Sequence, residues 1–295
     1  MKLLFSHTVP DDVSGVRFDR YASDVFVYFP SRNSARKAIK QGALLIDGDM
    51  RAPNHTVMPG QIIDLYEYHS HHPGLYRSHV PVVYEDDHMA VLEKKPGMPV
   101  NGNRFRTLEN SLPVNISHSG LSDALEWPRP VHRLDSATGG LIAVAKTRQA
   151  LADLGRQFQQ RRINKRYRAV VSGRLKGSGI IRKPLDGRDA ETFYSSISHY
   201  PSIKNGYLTL VDLRPLTGRT HQLRRHMSST GYPVMGDKLY GRDGEVLLGK
   251  GLFLWAVEIS LTHPAFGWPL TIRITEPAKF HSLLEREEKR WKKYH

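Results

Sequence analysis

The chain has no cysteine among its 295 residues, which excludes thiol nucleophiles, CxxC redox pairs, thiolate zinc sites and disulfides together. Any covalent chemistry must come from another side chain. No apolar run approaches the roughly 20 residues that span a bilayer, and the opening MKLLFSHTVPDD turns acidic too soon for a secretory signal. A cytoplasmic location with no membrane partner is the expectation. Acid is the scarcer charge, 29 Asp plus Glu against 43 Lys plus Arg, for a formal net charge of +14. That excess favours a polyanionic partner such as nucleic acid and, by repulsion between copies, a monomer. With 39% hydrophobic residues the chain can bury a sizeable core, and its length suits one small and one large domain.

Residues 130 to 146, PVHRLDSATGGLIAVAK, set one carboxylate, Asp135, among polar and basic residues just before an apolar strand. The Gly139-Gly140 pair is expected to break regular structure there. The acid would then sit on a loop held by rigid backbone, a common setting for chemistry. A second dense stretch, LRPLTGRTHQLRRHMSSTGYPVMGDKLYG at 213 to 241, reads as strand, turn and helix. Leu216, Thr217 and Gly218 make the turn, Thr220 can cap a helix carrying Leu223 and Met227, and Gly231 ends it. Arg219 lies on the turn, where a guanidinium can pair with a carboxylate from another loop, keeping that acid ionised and oriented.

The N-terminal part has its own pattern. In RFDRYASDVFVYF, Phe18, Tyr21, Val25 and Phe29 recur near helical spacing, so a short amphipathic helix is expected over 17 to 29, stopped by Pro30. Ser31 can cap a second helix that puts Ala35, Ala38 and Ile39 on one side and Arg32, Arg36, Lys37 and Lys40 largely on the other, ending at Gly42. Strands with turns at Asp47-Gly48 and Pro59-Gly60 follow. The stretch HSHHPGLYRSH, 69 to 79, holds four histidines with Pro and Gly. Without a carboxylate or helical spacing to fix geometry it reads as a linker, and no metal is expected.

Beyond it, strands are expected at 82 to 84, 89 to 92, 166 to 172, 180 to 182, 192 to 199, 207 to 214, 252 to 261 and 270 to 274, with a helix whose stripe is Leu151, Leu154 and Phe158. Most strands are separated by turns, which implies an α+β fold built on a large mixed, mainly antiparallel sheet. The expected organisation is a small module over 1 to 70, a linker over 71 to 79, a large domain over 80 to 280, and a solvated, basic-ended helical tail over 281 to 295.

Two resemblances sharpen this. R-F-D at 17 to 19, S-R at 31 to 32, I-K-Q-G at 39 to 42, D-G at 47 to 48 and M-P-G at 58 to 60 resemble the RNA-binding module named after small-subunit ribosomal protein S-four, over about residues 15 to 68. H-R-L-D-S-A-T-G-G-L at 132 to 141, K-R-Y-R-A-V at 165 to 170 and L-T-G-R-T-H-Q-L-R-R-H at 216 to 226 together resemble the RluA family of pseudouridine synthases, over about residues 80 to 275. The resemblance implies isomerisation of selected uridines in ribosomal or transfer RNA without a cofactor. Asp135 would be the catalytic carboxylate, Arg219 its ion-pair partner, and Tyr167 the ring beneath the target uracil. Leu223 would line the pocket, and Arg133 would fill the space left by an extruded base. His132, beside it in the substrate-binding motif, suits a hydrogen-bonding role more than a proton shuttle.

The chain departs from the usual family pattern at Gly140, at Glu93-Lys94-Lys95 and at Val100-Asn101-Gly102, which bears on the target uridine and not on the reaction. Two other functions share some of these features. A non-catalytic RNA-binding or ribosome-assembly protein would not require Asp135, Tyr167 and Arg219 together. A glycosidase would need a second positioned acid, for which Glu109 and Asp123 are the nearest choices.

Overall fold

The computed structural model describes residues 3–26, 28–29, 32–66, 74–242 and 249–295. They fall into two compact units, Met1–Gly74 and Leu75–His295. Among the described residues no helix is long and apolar enough to cross a membrane.

In the first unit, β1 (Leu3–Thr8), β2 (Leu44–Ile46) and β3 (Ile62–Tyr66) form an antiparallel sheet in the order β1-β3-β2, accompanied by α1 (Phe18–Val25) and α2 (Arg32–Lys40). Helical spacing places Phe18, Tyr21, Ala35, Ala38 and Ile39 in one core with Leu44, Ile46, Ile63 and Leu65. Asp47 and Gly48 both take positive φ, 52° and 80°, in the two-residue turn that suits antiparallel neighbours. The first helix is shorter than its period suggested. It stops at Val25 because Phe26 goes extended, yet Phe26 and Phe29 still enter the core from the turn that follows. Pro30 and Ser31, the expected stop and cap, lie outside the described residues, as do residues 67–73, which run from the end of the expected module into the expected linker. From Leu75 the chain belongs to the second unit: the Tyr76 N–H donates to the Asn110 carbonyl at 2.9 Å and its ring packs on that unit's core.

The described residues of the second unit are built on a ten-stranded sheet. Its strands are β4 (Val82–Glu85), β5 (Met89–Lys94), β6 (Ala124–Pro130), β7 (Gly139–Thr147), β8 (Asn164–Ser172), β9 (Ser178–Arg182), β10 (Glu191–Ser202), β11 (Gly206–Pro215), β12 (Leu254–Thr262) and β13 (Pro269–Arg273). The helices are α3 (Leu108–Ser111), α4 (Arg148–Gln159), α5 (Gln222–Ser229) and α6 (Lys279–Tyr294). The strand order is β4-β5-β7-β12-β8-β11-β10-β9, with β13 beside β12 and β6 beside β7. Among the described residues only the β7–β12 pair is parallel, so the sheet is mixed and mainly antiparallel.

Alternation along the central strands sends side chains to opposite faces, and both faces are buried. Tyr167, Ala169 and Val171 join one cluster with Leu223, Leu254 and Ala256, while Val170 joins another with Phe253, Trp255 and Phe280. The Gly139-Gly140 pair starts β7 instead of interrupting it. A Cβ on Gly139 would lie 2.2 Å from the Trp255 ring, and one on Gly140, whose φ is +110°, would lie 2.3 Å from the Ala256 carbonyl oxygen. The glycines let β7 approach β12 closely just after the Asp135 loop. The C-terminal segment is helical from Lys279 with an exposed basic end, but it is not wholly solvated: Phe280, Leu283 and Leu284 bury one stripe against the sheet. Its charged residues mask that stripe in a composition-based reading.

Candidate active site

Asp135 lies on the loop before β7, half-buried, in a cleft of about 440 Å³. It is the sole carboxylate among the described residues lining that cleft. The loop is clamped from below. Gly97 N–H donates to the Ser136 carbonyl at 2.7 Å, and Thr138 N–H to the Asp135 carbonyl at 3.0 Å. The Lys94 ammonium, fully buried, donates to the carbonyls of Lys95, Met98 and Ser136 at 3.0, 2.8 and 3.2 Å. One cation thus joins the end of β5 to the Asp135 loop.

Burial pulls the Lys94 pKa down to about 8, against the opposing pull of Asp135. Between that value and the ordinary lysine range the folded chain binds fewer protons here than the unfolded chain, so this group's contribution to stability rises with pH. In urea unfolding the wild type should gain about 2–3 kcal/mol on Lys94→Met between about pH 8 and pH 10. A difference that stays constant with pH would show that the ammonium is not desolvated.

The cation facing Asp135 is Arg224, not Arg219. Arg224 Nη1 is 3.6 Å from Asp135 Oδ2, and the guanidinium is held from behind by buried Asp237, which accepts from Nε and Nη2 at 2.7 Å each. Asp237 also accepts the N–H groups of Leu239 and Tyr240. Burial alone would raise its pKa; the Arg224 and backbone hydrogen bonds outweigh this and hold the carboxyl below the ordinary range. His221 Nε2 lies 3.8 Å from Asp135 Oδ1, and its Nδ1 is 3.0 Å from the Tyr240 hydroxyl. The Arg224 guanidinium carbon sits 5.1 Å from the Tyr240 ring centre.

Local backbone explains the exchange of arginines. His221, not Thr220, precedes α5, and it does so at φ 53°, in the left-handed region. The Gln222 side chain fixes this turn by accepting from the Thr217 hydroxyl at 2.7 Å and the Arg219 N–H at 3.0 Å. Arg219 stays on the rim, where its Nε donates to the Asp189 carbonyl at 3.0 Å, and Arg224 enters from the first turn of α5. Arg224 could have been found from the sequence: it stands three residues before Met227, on the stripe that Leu223 and Met227 define. Asp237 and Tyr240 gave no such signal, because their approach depends on a loop.

The other expected residues reach the cleft. Tyr167 on β8 and Leu223 on α5 are buried in its lining. Burial, then the nearby Asp135 charge, raises the Tyr167 pKa, so its hydroxyl stays protonated. Arg133 is exposed at the mouth and forms no ion pair among the described residues. His132 Nε2 accepts the Ala143 N–H at 3.0 Å, and its ring stacks on Phe158 with centres 4.7 Å apart. Burial, then Lys165, pushes its pKa down to about 3. A neutral imidazole that fastens the loop to β7 is no proton shuttle. Glu109 and Asp123 are occupied elsewhere, Glu109 with Arg129 and Asp123 with the Gln149 N–H, and neither lines the cleft.

In the first unit, Arg32 and Arg36 approach buried Asp19, with Nε to carboxylate distances of 2.9 and 4.0 Å, and keep about half of their side chains exposed (49% and 51%). Lys37 and Lys40 are exposed on the same helix.

Residues 88–229 match the sequence profile described as RNA pseudouridylate synthase. The chain is 31% identical over 286 residues to ribosomal large subunit pseudouridine synthase D of Nitrosomonas europaea, covering 87% of this chain and 80% of that protein. It is 32% identical to the dual-specificity RNA pseudouridine synthase RluA of Haemophilus influenzae, covering 63% of this chain and 88% of that one. Among solved structures, human RNA pseudouridylate synthase domain containing 1 superposes with a TM-score of 0.56 at 24% identity, covering 68% of this chain and 84% of that one, which is a likeness of fold.

Proposed function

The chain belongs to the RluA family of RNA pseudouridine synthases, isomerases that act on RNA, and from that premise we propose that it converts uridines of ribosomal RNA to pseudouridine with Asp135 as the catalytic carboxylate. The observation that carries the residue assignment is the single acid among the described residues lining the cleft, faced by Arg224 and sharing that lining with Tyr167. The reaction breaks the bond from uracil N1 to ribose C1′ and forms one from C5 to C1′; C5 gives up its proton and N1 gains one. A carboxylate suits an electron-poor C1′, which it can attack or stabilise. The Tyr167 ring offers the detached base a flat face against which to turn. Arg224 keeps the acid aimed without competing for it, because Asp237 takes its stronger hydrogen bonds.

A uridine within folded RNA must leave its stack to reach Asp135. Arg133, exposed at the mouth with no ion pair among the described residues, suits the vacated space with its planar cation. Arg133→Ala should therefore slow turnover of a structured RNA by roughly tenfold while changing that of a short flexible strand little. Equal slowing of both would reject the wedge. The exposed charges of α2 suit phosphate contacts in the manner of an S-four-type module, and the net charge, by repulsion between copies, suits a monomer.

The ribosomal assignment rests on relatives named for the large ribosomal subunit. Mapping pseudouridine across ribosomal and transfer RNA, from cells with and without this chain, tests it. Loss of one or more ribosomal sites is expected; loss confined to transfer RNA would move the target there.

A further inference from the structure

The cleft carries more positive charge than its ion pair employs. α4 ends in a capping turn in which the Arg161 N–H donates to the Phe158 carbonyl at 3.2 Å and the Arg162 N–H to the Gln157 carbonyl at 2.9 Å. The residue in the left-handed position of that turn is Arg161, at φ 57°. Glycine is favoured there because a Cβ crowds the backbone. The arginine therefore adds local strain with no side-chain hydrogen bond or ion pair to offset it among the described residues. Its side chain is exposed and lines the cleft.

Lys165, four residues on at the start of β8, lines the same cleft. It is half-buried and forms no ion pair among the described residues; its ammonium stands 5.5 Å from the Phe158 ring centre. Burial lowers its pKa, as expected of a cation lacking a counter-charge. Arg162, the next residue along from Arg161, is also exposed and does not line the cleft.

We propose that Arg161, with Lys165 on the same wall, binds a backbone phosphate flanking the uridine whose base enters the cleft. The proposal rests on the RNA-modifying function above. A nucleotide delivered to Asp135 brings phosphates toward a carboxylate, so cations are needed at the wall to offset that repulsion. A guanidinium supplies paired N–H donors to phosphate oxygens, and the ammonium adds a point charge. The strained position of Arg161 is explained if it aims that fork at the ligand.

Arg161→Gly tests this in the full-length chain, since it removes the cation and installs the residue the turn prefers. Arg162→Ala removes the same charge one residue away. Arg161→Gly should melt at the wild-type temperature or about 1–3 °C above it. Its affinity for a substrate RNA should fall about tenfold, and the slope of log affinity against log salt should flatten by roughly 0.7–0.9. KM should rise with kcat nearly unchanged, the signature of lost uniform binding. Arg162→Ala should change affinity less than about twofold. Equal effects of the two variants, or a fall in kcat at unchanged KM, would overturn the proposal. If the wild type binds RNA without turning it over, the isomerase function fails, and the paired affinities still decide whether Arg161 holds a phosphate.

Discussion

Asp135→Asn is expected to abolish isomerisation, lowering single-turnover rates by about 10³-fold or more, or ~4 kcal/mol of transition-state stabilisation. The substitution keeps the shape of the side chain and removes its charge. Nothing else lining the cleft can replace it, because no second carboxylate is present among the described lining residues. The fold should be untouched: the loop is held by main-chain hydrogen bonds and by Lys94, neither of which uses the Asp135 side chain. Affinity for RNA should hold or rise slightly, since a negative charge facing a polyanion is removed. Turnover within about tenfold of wild type would reject Asp135 as the reacting group.

Arg224→Gln should damage both the fold and the chemistry. The variant leaves Asp237 buried with two backbone N–H donors and no cation, and breaking a buried pair from one side costs about 3–5 kcal/mol. For a unit of this size that lowers the melting temperature by roughly 6–20 °C. Measured well below melting, turnover should still drop about 10²-fold, because Asp135 loses the charge that orients it. Arg219→Ala is the informative companion. Partly exposed and bound to one carbonyl, Arg219 should cost less than about 0.5 kcal/mol and leave turnover within about tenfold. A reversal of the two results would restore Arg219 as the partner of Asp135.

The strands of the central sheet were legible because each carries apolar side chains at a period of two or is apolar throughout, and β7 is buried along its length. β1 and β6 escaped for identifiable reasons. β1 sits at the sheet edge with neither side consistently buried, and β6 contains Trp127, Pro128 and Pro130 and pairs with β7 through an irregularity. Asp135 could be singled out from its loop before an apolar strand, whereas Tyr167 and Leu223 came from the family resemblance; their strand and helix bring both to the cleft. The partner of Asp135 could not be read off a turn, since a left-handed residue at 221 redirects the chain between two arginines. Lys94 and Asp237 were invisible as site residues because their roles come from packing between segments more than 40 positions apart for Lys94 and Ser136, and from a loop fold for Asp237.

The central claim is tested most directly by incubating the purified chain with RNA carrying tritium at uridine C5 and counting label released to water. Moving the glycosidic bond to C5 requires that hydrogen to leave. Release in step with pseudouridine formed, from the wild type and not from Asp135→Asn, is the expected result. Tight binding of the RNA with all tritium retained would contradict it.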